Sequence, residues 1–150
     1  MIPPASVPSI LLVEDAIHEA YLIKLALEKK SPSPPLHHVM DGRAAIDYLK
    51  GVGRYADRSL FPLPTVVILD LHLPGLHGLE VLAWIRAQPR FAELPVLIFT
   101  ASIDPKQRSK AEALGATGYL EKPSGFEALM GTAAALRAHA MNGRVAYASA

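Results

Sequence analysis

Cysteine is absent from the chain, which excludes a disulfide framework and a thiolate zinc site and suits a reducing compartment. No apolar run approaches membrane-spanning length. The opening MIPPASVPS lacks the positive and apolar regions of a secretory leader. An excess of one charge is missing too. Fifteen basic against fourteen acidic residues leave a formal net charge of +1, with no dense Lys/Arg cluster, which argues against nucleic acid as the main partner. No internal repeat or low-complexity tract is present. The expectation is a cytoplasmic protein that engages neither nucleic acid nor membrane. What remains is 150 residues, 51% of them hydrophobic, enough for one well-buried core and short for two domains.

Short apolar runs alternate with segments of helical period: ILLV (10–13), LHHVM (36–40), VVIL (66–69), PVLIF (95–99) and TGYL (117–120). On the first helix Ala20, Ile23 and Leu27 share a face that Leu22 and Ala26 widen, while Lys24 and Glu28 fall outside it. The second helix is predicted near 42–50. The third, HGLEVLAWIRAQ, is stopped by Pro89, and the fourth opens with Asp104-Pro105 and closes at Gly115. The last spans about 125–141. Five βα units imply an α/β, doubly wound parallel sheet with right-handed crossovers. Residues 1–8 read as an N-terminal extension, 9–141 as the domain and 142–150 as a tail without strong periodicity. Within the domain, 51–64 reads as an extended surface loop, kept straight at its end by Pro62 and Pro64.

In VVILDLHLPG a strand buried on both faces delivers an ionisable Asp70 at its end, and burying an isolated carboxylate is costly unless a cation or donors meet it. In doubly wound sheets ligands bind at the carboxyl ends of the strands, and the polar residues gather there. Glu14 and Asp15 follow the first strand, Thr100 and Ser102 the fourth, and Lys122 the fifth. Three carboxylates in one small volume repel by roughly 4 kcal/mol per close pair at an effective dielectric near 20. A divalent cation held by oxygen ligands, Mg²⁺ in particular, resolves the conflict. Lys122 and the Thr100 hydroxyl are superfluous as metal ligands but suit a second anion, a phosphoryl group. Its acceptor would be a carboxylate, with Asp70 the natural candidate.

The order VED, LDLHLPG, FTAS and GYLEKP resembles the receiver domain of two-component response regulators, over about Ile10 to Met141. The resemblance implies a (βα)₅ flavodoxin-like fold with strand order 2-1-3-4-5, and a Mg²⁺ or Mn²⁺ cofactor. It implies Asp70 as phosphoacceptor, Asp15 binding the metal directly, Glu14 through water, and the His72 backbone carbonyl as a further ligand. Thr100 matches the switch hydroxyl, Tyr119 the switch aromatic and Lys122 the lysine that contacts the phosphoryl group. His72 stands where the family commonly has Asn or Met, with its side chain in the path of an attacking water. It and Ser102 are read as modulating residues. Such a protein accepts phosphoryl from a histidine kinase, and self-phosphorylation and autodephosphorylation are expected without turnover of a substrate. The LIKLALEK helix, the 51–64 loop and the lack of an output domain after the fifth helix resemble the stand-alone regulators that partner phytochrome-type kinases. The signal would then leave by a protein-protein surface to a downstream protein the sequence does not name.

Tyr21 and Leu25, off the first helix's apolar face, are candidate kinase contacts. On the last helix Phe126, Leu129, Met130, Ala133 and Leu136 form one stripe, while Ala134, Ala135, Ala138 and Met141 leave the remainder poorly charged. A homodimer through that helix or the tail is therefore expected. Six histidines invite a metal reading, yet no i, i+4 pair exists and adjacent His37 and His38 point to opposite faces of a strand. Surface or packing roles are assigned to them. Gly51, Gly53 and Gly78 form no phosphate-binding fingerprint. Two other readings share the fold class. An aspartyl-nucleophile phosphatase needs an acid/base two residues past Asp70, where His72 stands, and a pseudo-receiver would fold alike without being phosphorylated. A flavin module is weaker still, since Glu14 and Asp15 occupy the loop where a flavin phosphate needs donors.

Overall fold

The computed structural model describes residues 7–30, 32–142 and 147. Five strands, β1 (Ile10–Val13), β2 (Leu36–Val39), β3 (Val66–Leu69), β4 (Val96–Thr100) and β5 (Gly118–Glu121), form one parallel sheet in the order β2-β1-β3-β4-β5. The helices α1 (Ile17–Glu28), α2 (Gly42–Lys50), α3 (Gly78–Ala87), α4 (Pro105–Ala113) and α5 (Phe126–Asn142) follow the strands in turn. Side chains alternate across each strand, so two cores form. Leu11, Val13, Val67 and Leu69 pack with Val81, Leu82 and Ile85 on one face. On the other, Ile10, Leu12 and Ile68 pack with Ile23 and Leu27 of α1 and Leu136 of α5.

As the sequence predicts, Asp104 caps α4 by accepting from Lys106 N at 3.0 Å, with Pro105 at the first helical position. The structure adds a cap on α2, where Asp41 accepts from Ala44 N at 2.7 Å. Gly51 ends α2 in the left-handed region at φ 70°, and its N–H donates to Asp47 and Tyr48 carbonyls.

One expectation needs correction, and another gains an anchor. The 51–64 segment is largely exposed, as expected, yet it is tied to α2. Arg58 donates to the Tyr48, Leu49 and Phe61 carbonyls at 2.8, 2.8 and 3.0 Å, satisfying the open end of α2. Tyr55 and Phe61 stack around the buried Tyr48, so ring packing fixes the segment. The buried line of α5 is Leu129, Ala133, Leu136 and Ala140, while Phe126 and Met130 face outward. Packing against α1 selects this line over the overlapping stripe read from the sequence.

At the amino end of the sheet, buried Thr65 donates to the Ala140 carbonyl at 2.8 Å and accepts from Ser9 N at 3.1 Å, which ties α5 to β1 and β3. Most of the 142–150 tail, like residues 1–6 of the N-terminal extension, lies outside the described residues. Tyr147 returns to the body. Its ring meets Phe91 edge-on at 6.0 Å and its hydroxyl donates to the Pro64 carbonyl. Among the described residues, no helix is long and apolar enough to cross a membrane.

Candidate functional site

The carboxyl edge of the sheet gathers residues from four strand ends. Parallel pairing sets Val13 level with Leu69, so the residues that follow, Glu14 and Asp70, emerge side by side, and Asp70 N donates to the Val13 carbonyl at 3.1 Å. Glu14 is 1% exposed and Asp70 6%, while Asp15 faces solvent. Glu14, Asp15 and Asp70 each place a carboxylate oxygen within 4.8 Å of the others.

Lys122 reaches in from the end of β5, where its backbone N donates to the Thr100 carbonyl at 2.8 Å. Its Nζ lies 2.5 Å from Glu14 Oε1, 2.6 Å from Glu19 Oε2 and 2.8 Å from Asp70 Oδ2. An ammonium has three hydrogens, and each has a carboxylate. Burial works against the lysine's charge, but the hydrogen bonds to Asp70, Glu14 and Glu19 outweigh it and hold Lys122 above its ordinary range. Glu14 behaves oppositely. Burial, reinforced by the neighbouring Glu19 carboxylate, pushes it up to about 8 against the pull of Lys122. Glu19 is lowered by that same contact with Glu14 and by Lys122. One ammonium therefore does not neutralise the cluster. A hard divalent cation fits the donor set, which is all oxygen and partly open to water through Asp15, and would draw Glu14 into its ionised form.

The other expected residues lie around this centre. Asp70 Oδ1 accepts from His72 N at 3.2 Å. The His72 ring is turned toward His77, edge to face at 5.8 Å, so it rests against the start of α3. Thr100 is fully buried and its hydroxyl accepts from Ser102 N at 3.3 Å. The Ser102 hydroxyl accepts from Asp104 N, which turns it toward α4. The Tyr119 hydroxyl donates to the Ser102 carbonyl at 3.1 Å, and Arg108 of α4 stacks over its ring at 5.6 Å. Tyr119 thus links β5, the loop after β4 and α4.

Sequence reasoning missed two participants. Glu19 is in the first turn of α1, where an acid reads as a favourable partner of the helix dipole; only the fold shows it touching Lys122. Gly78 opens α3 against β3. A β-carbon there would sit 2.3 Å from the Asp70 carbonyl oxygen and 2.6 Å from Leu71 Cα, so the glycine allows the helix to approach the strand end that carries Asp70. Its isolation from any glycine-rich pattern hid this. The candidate kinase contacts divide: Tyr21 is exposed and Leu25 half-buried. Beside Lys122, a groove of about 230 Å³ between α1 and the start of α5 is lined instead by His18, Leu22, Pro123 and Phe126.

Fold and site together define a flavodoxin-like α/β protein whose acidic edge suits phosphorylation. The chain belongs to the response regulator receiver domain family, whose model matches residues 10–134. Proteins of this family are signalling proteins. The chain is 34% identical over 113 residues to the response regulator Rcp1 of Synechocystis sp., covering 75% of each chain, and Rcp1 has been solved in a Mn²⁺-bound form (30% identity, 87% of this chain and 92% of that one, TM-score 0.78). The phosphorylated cyanobacterial phytochrome response regulator RcpA matches at 29% identity, with 89% of this chain and 94% of that one covered and a TM-score of 0.82. The bacteriophytochrome response regulator RtBRR is 36% identical, covers 86% of this chain and 76% of its own, and superposes with a TM-score of 0.72.

Proposed function

We propose that the chain is a phosphorylation switch whose phosphoacceptor is Asp70. The carrying observation is the near-buried Asp70 carboxylate, 2.8 Å from Lys122 Nζ and within a cluster that fits a divalent cation. An Asp70 oxygen attacks the phosphorus of a kinase phosphohistidine. The P–N bond breaks, an acyl phosphate forms, and the leaving imidazole takes up a proton. Asp15 and Asp70, with the His72 carbonyl and Glu14 through water, would hold Mg²⁺ or Mn²⁺, which neutralises the approaching phosphate. Lys122 pairs with the phosphoryl oxygens. Thr100 then turns toward the phosphoryl group, and Tyr119 follows through the shared Ser102 link, resetting α4 and β5 as a two-state element. His72 and Ser102 would modulate how long the phosphoryl group lasts.

The phosphoryl donor is a histidine kinase of phytochrome type, a reading supported by the phytochrome association of the relatives RcpA and RtBRR. Tyr21, Leu25 and the neighbouring His18, Leu22 and Phe126 offer a helical partner an apolar surface beside Lys122. The test is intact-protein mass after incubation with acetyl phosphate and Mg²⁺, with EDTA and Asp70→Asn controls. An adduct that requires both Mg²⁺ and Asp70 is expected. A wild type that gains no mass and binds no beryllofluoride would be a pseudo-receiver.

A further inference from the structure

We infer that His38 is a positioning residue for the acidic loop, holding the Glu14–Asp15 peptide in the orientation that metal binding requires. The inference rests on the metal site proposed above.

Along β2 the side chains alternate. His37 turns to the aromatic cluster, 5.8 Å from the Tyr48 ring and 6.2 Å from that of Phe61. His38 therefore turns to the α1 face. There its ring Nε2 lies 2.6 Å from the Glu14 carbonyl oxygen. A carbonyl only accepts, so Nε2 carries the hydrogen. The β1–β2 ladder runs out at the Val13–Val39 pair, and Glu14 is where the chain leaves the sheet. Its N–H still donates to the Val39 carbonyl at 3.0 Å. Its carbonyl has passed the last ladder partner, and an imidazole takes the place of the missing strand N–H.

The placement matters because the next peptide unit is the one that carries Asp15. Fixing Glu14 by its N–H and its C=O leaves the plane between the two acids little freedom. Glu14 stays directed into the buried cluster and Asp15 stays outside it within 4.8 Å. Further along, Ala16 N reaches Glu14 Oε2 only at 3.4 Å, and the Ala16 carbonyl already belongs to α1, accepting from Ala20 N at 3.0 Å, so the imidazole is the contact that holds the Glu14–Asp15 peptide itself. Groups that orient metal ligands from behind commonly change metal affinity about 10- to 100-fold when removed.

The test uses two amides of the same chemistry and different reach. Glutamine places its amide nitrogen as many bonds from Cα as Nε2 of histidine; asparagine falls one bond short. Mn²⁺ dissociation constants are measured by electron paramagnetic resonance for wild type, His38→Gln and His38→Asn, with metal-free thermal midpoints alongside. His38→Asn is expected to weaken Mn²⁺ binding about tenfold, with His38→Gln recovering most of it while the two midpoints stay close together. Wild-type affinity in His38→Asn, or equal weakening in both variants, would overturn the inference and leave the metal site standing. A folded wild type that binds no Mn²⁺ would overturn both.

Discussion

Lys122 has three ammonium hydrogens and three carboxylates to receive them, and this saturation governs the chemistry of its neighbours. Replacing Lys122 by Met leaves Glu14 and Asp70 facing each other in a nearly buried site. Loss of up to about 3 kcal/mol is expected for the metal-free protein, with the thermal midpoint partly restored by Mg²⁺. Glu14 gives a pH dependence of definite sign. Its carboxyl holds a proton up to about 8 in the folded protein, whereas the unfolded chain releases it in the ordinary carboxylate range. The metal-free fold therefore loses stability as pH climbs from that range toward 8. Lys122, raised rather than lowered, keeps its contribution throughout that interval. Since a cation binds the ionised carboxylate, apparent Mn²⁺ affinity should tighten as pH rises from 6 to 8 and flatten beyond it. In Glu14→Gln the slope should vanish, and titration calorimetry in buffers of different ionisation enthalpy would count the released proton.

Among the α-helices, α4 is the least buried. It buries only Ala111, and its carboxyl end is fastened by Arg86 of α3, which donates to the Gly115 carbonyl at 2.8 Å. Backbone amides of α4 are expected to exchange with deuterium faster than those of α2 or α3, and Arg86→Ala should widen the difference. The contact of α3 with β3 is the opposite case. Gly78→Ala forces a methyl into the Asp70 carbonyl, at a cost of about 1–3 kcal/mol, and the phosphorylation proposed for Asp70 should slow with it. Elements bounded by local signals were legible in the sequence: Pro89 after α3, Asp104-Pro105 before α4 and Gly115 after it act through their own backbone. The anchoring of the 51–64 segment was not, because Arg58 and the rings of Tyr55 and Phe61 find their partners only after the chain has folded back. For α5, helical period alone admits two overlapping faces, and only the packed α1 decides between them.

Across the whole molecule the sheet separates two ends. The carboxyl end collects the acids and Lys122, and the amino end is closed by Thr65 and Tyr147. The order of strand ends was enough to bring Glu14, Asp15, Asp70 and Lys122 together, because parallel pairing places successive strand ends side by side. The contacts of Glu19, Gly78 and His38 were not legible, because what they touch depends on where a neighbouring element lands. The proposed homodimer has exposed Ala134, Ala135 and Ala138 on α5 available, whereas the tail's Tyr147 is occupied with its own domain. Light scattering at tens of micromolar should give a dimer, and Ala135→Glu should shift it to monomer; a wild-type monomer, phosphorylated or not, would dismiss the interface. The docking of Tyr147 has one more consequence. The chain has a single tryptophan, Trp84, whose ring lies 6.1 Å from that of Phe91, the same ring that Tyr147 meets edge-on. The emission of that one indole is therefore an internal reporter on the tail, and release of Tyr147 can be followed by light without attaching a dye.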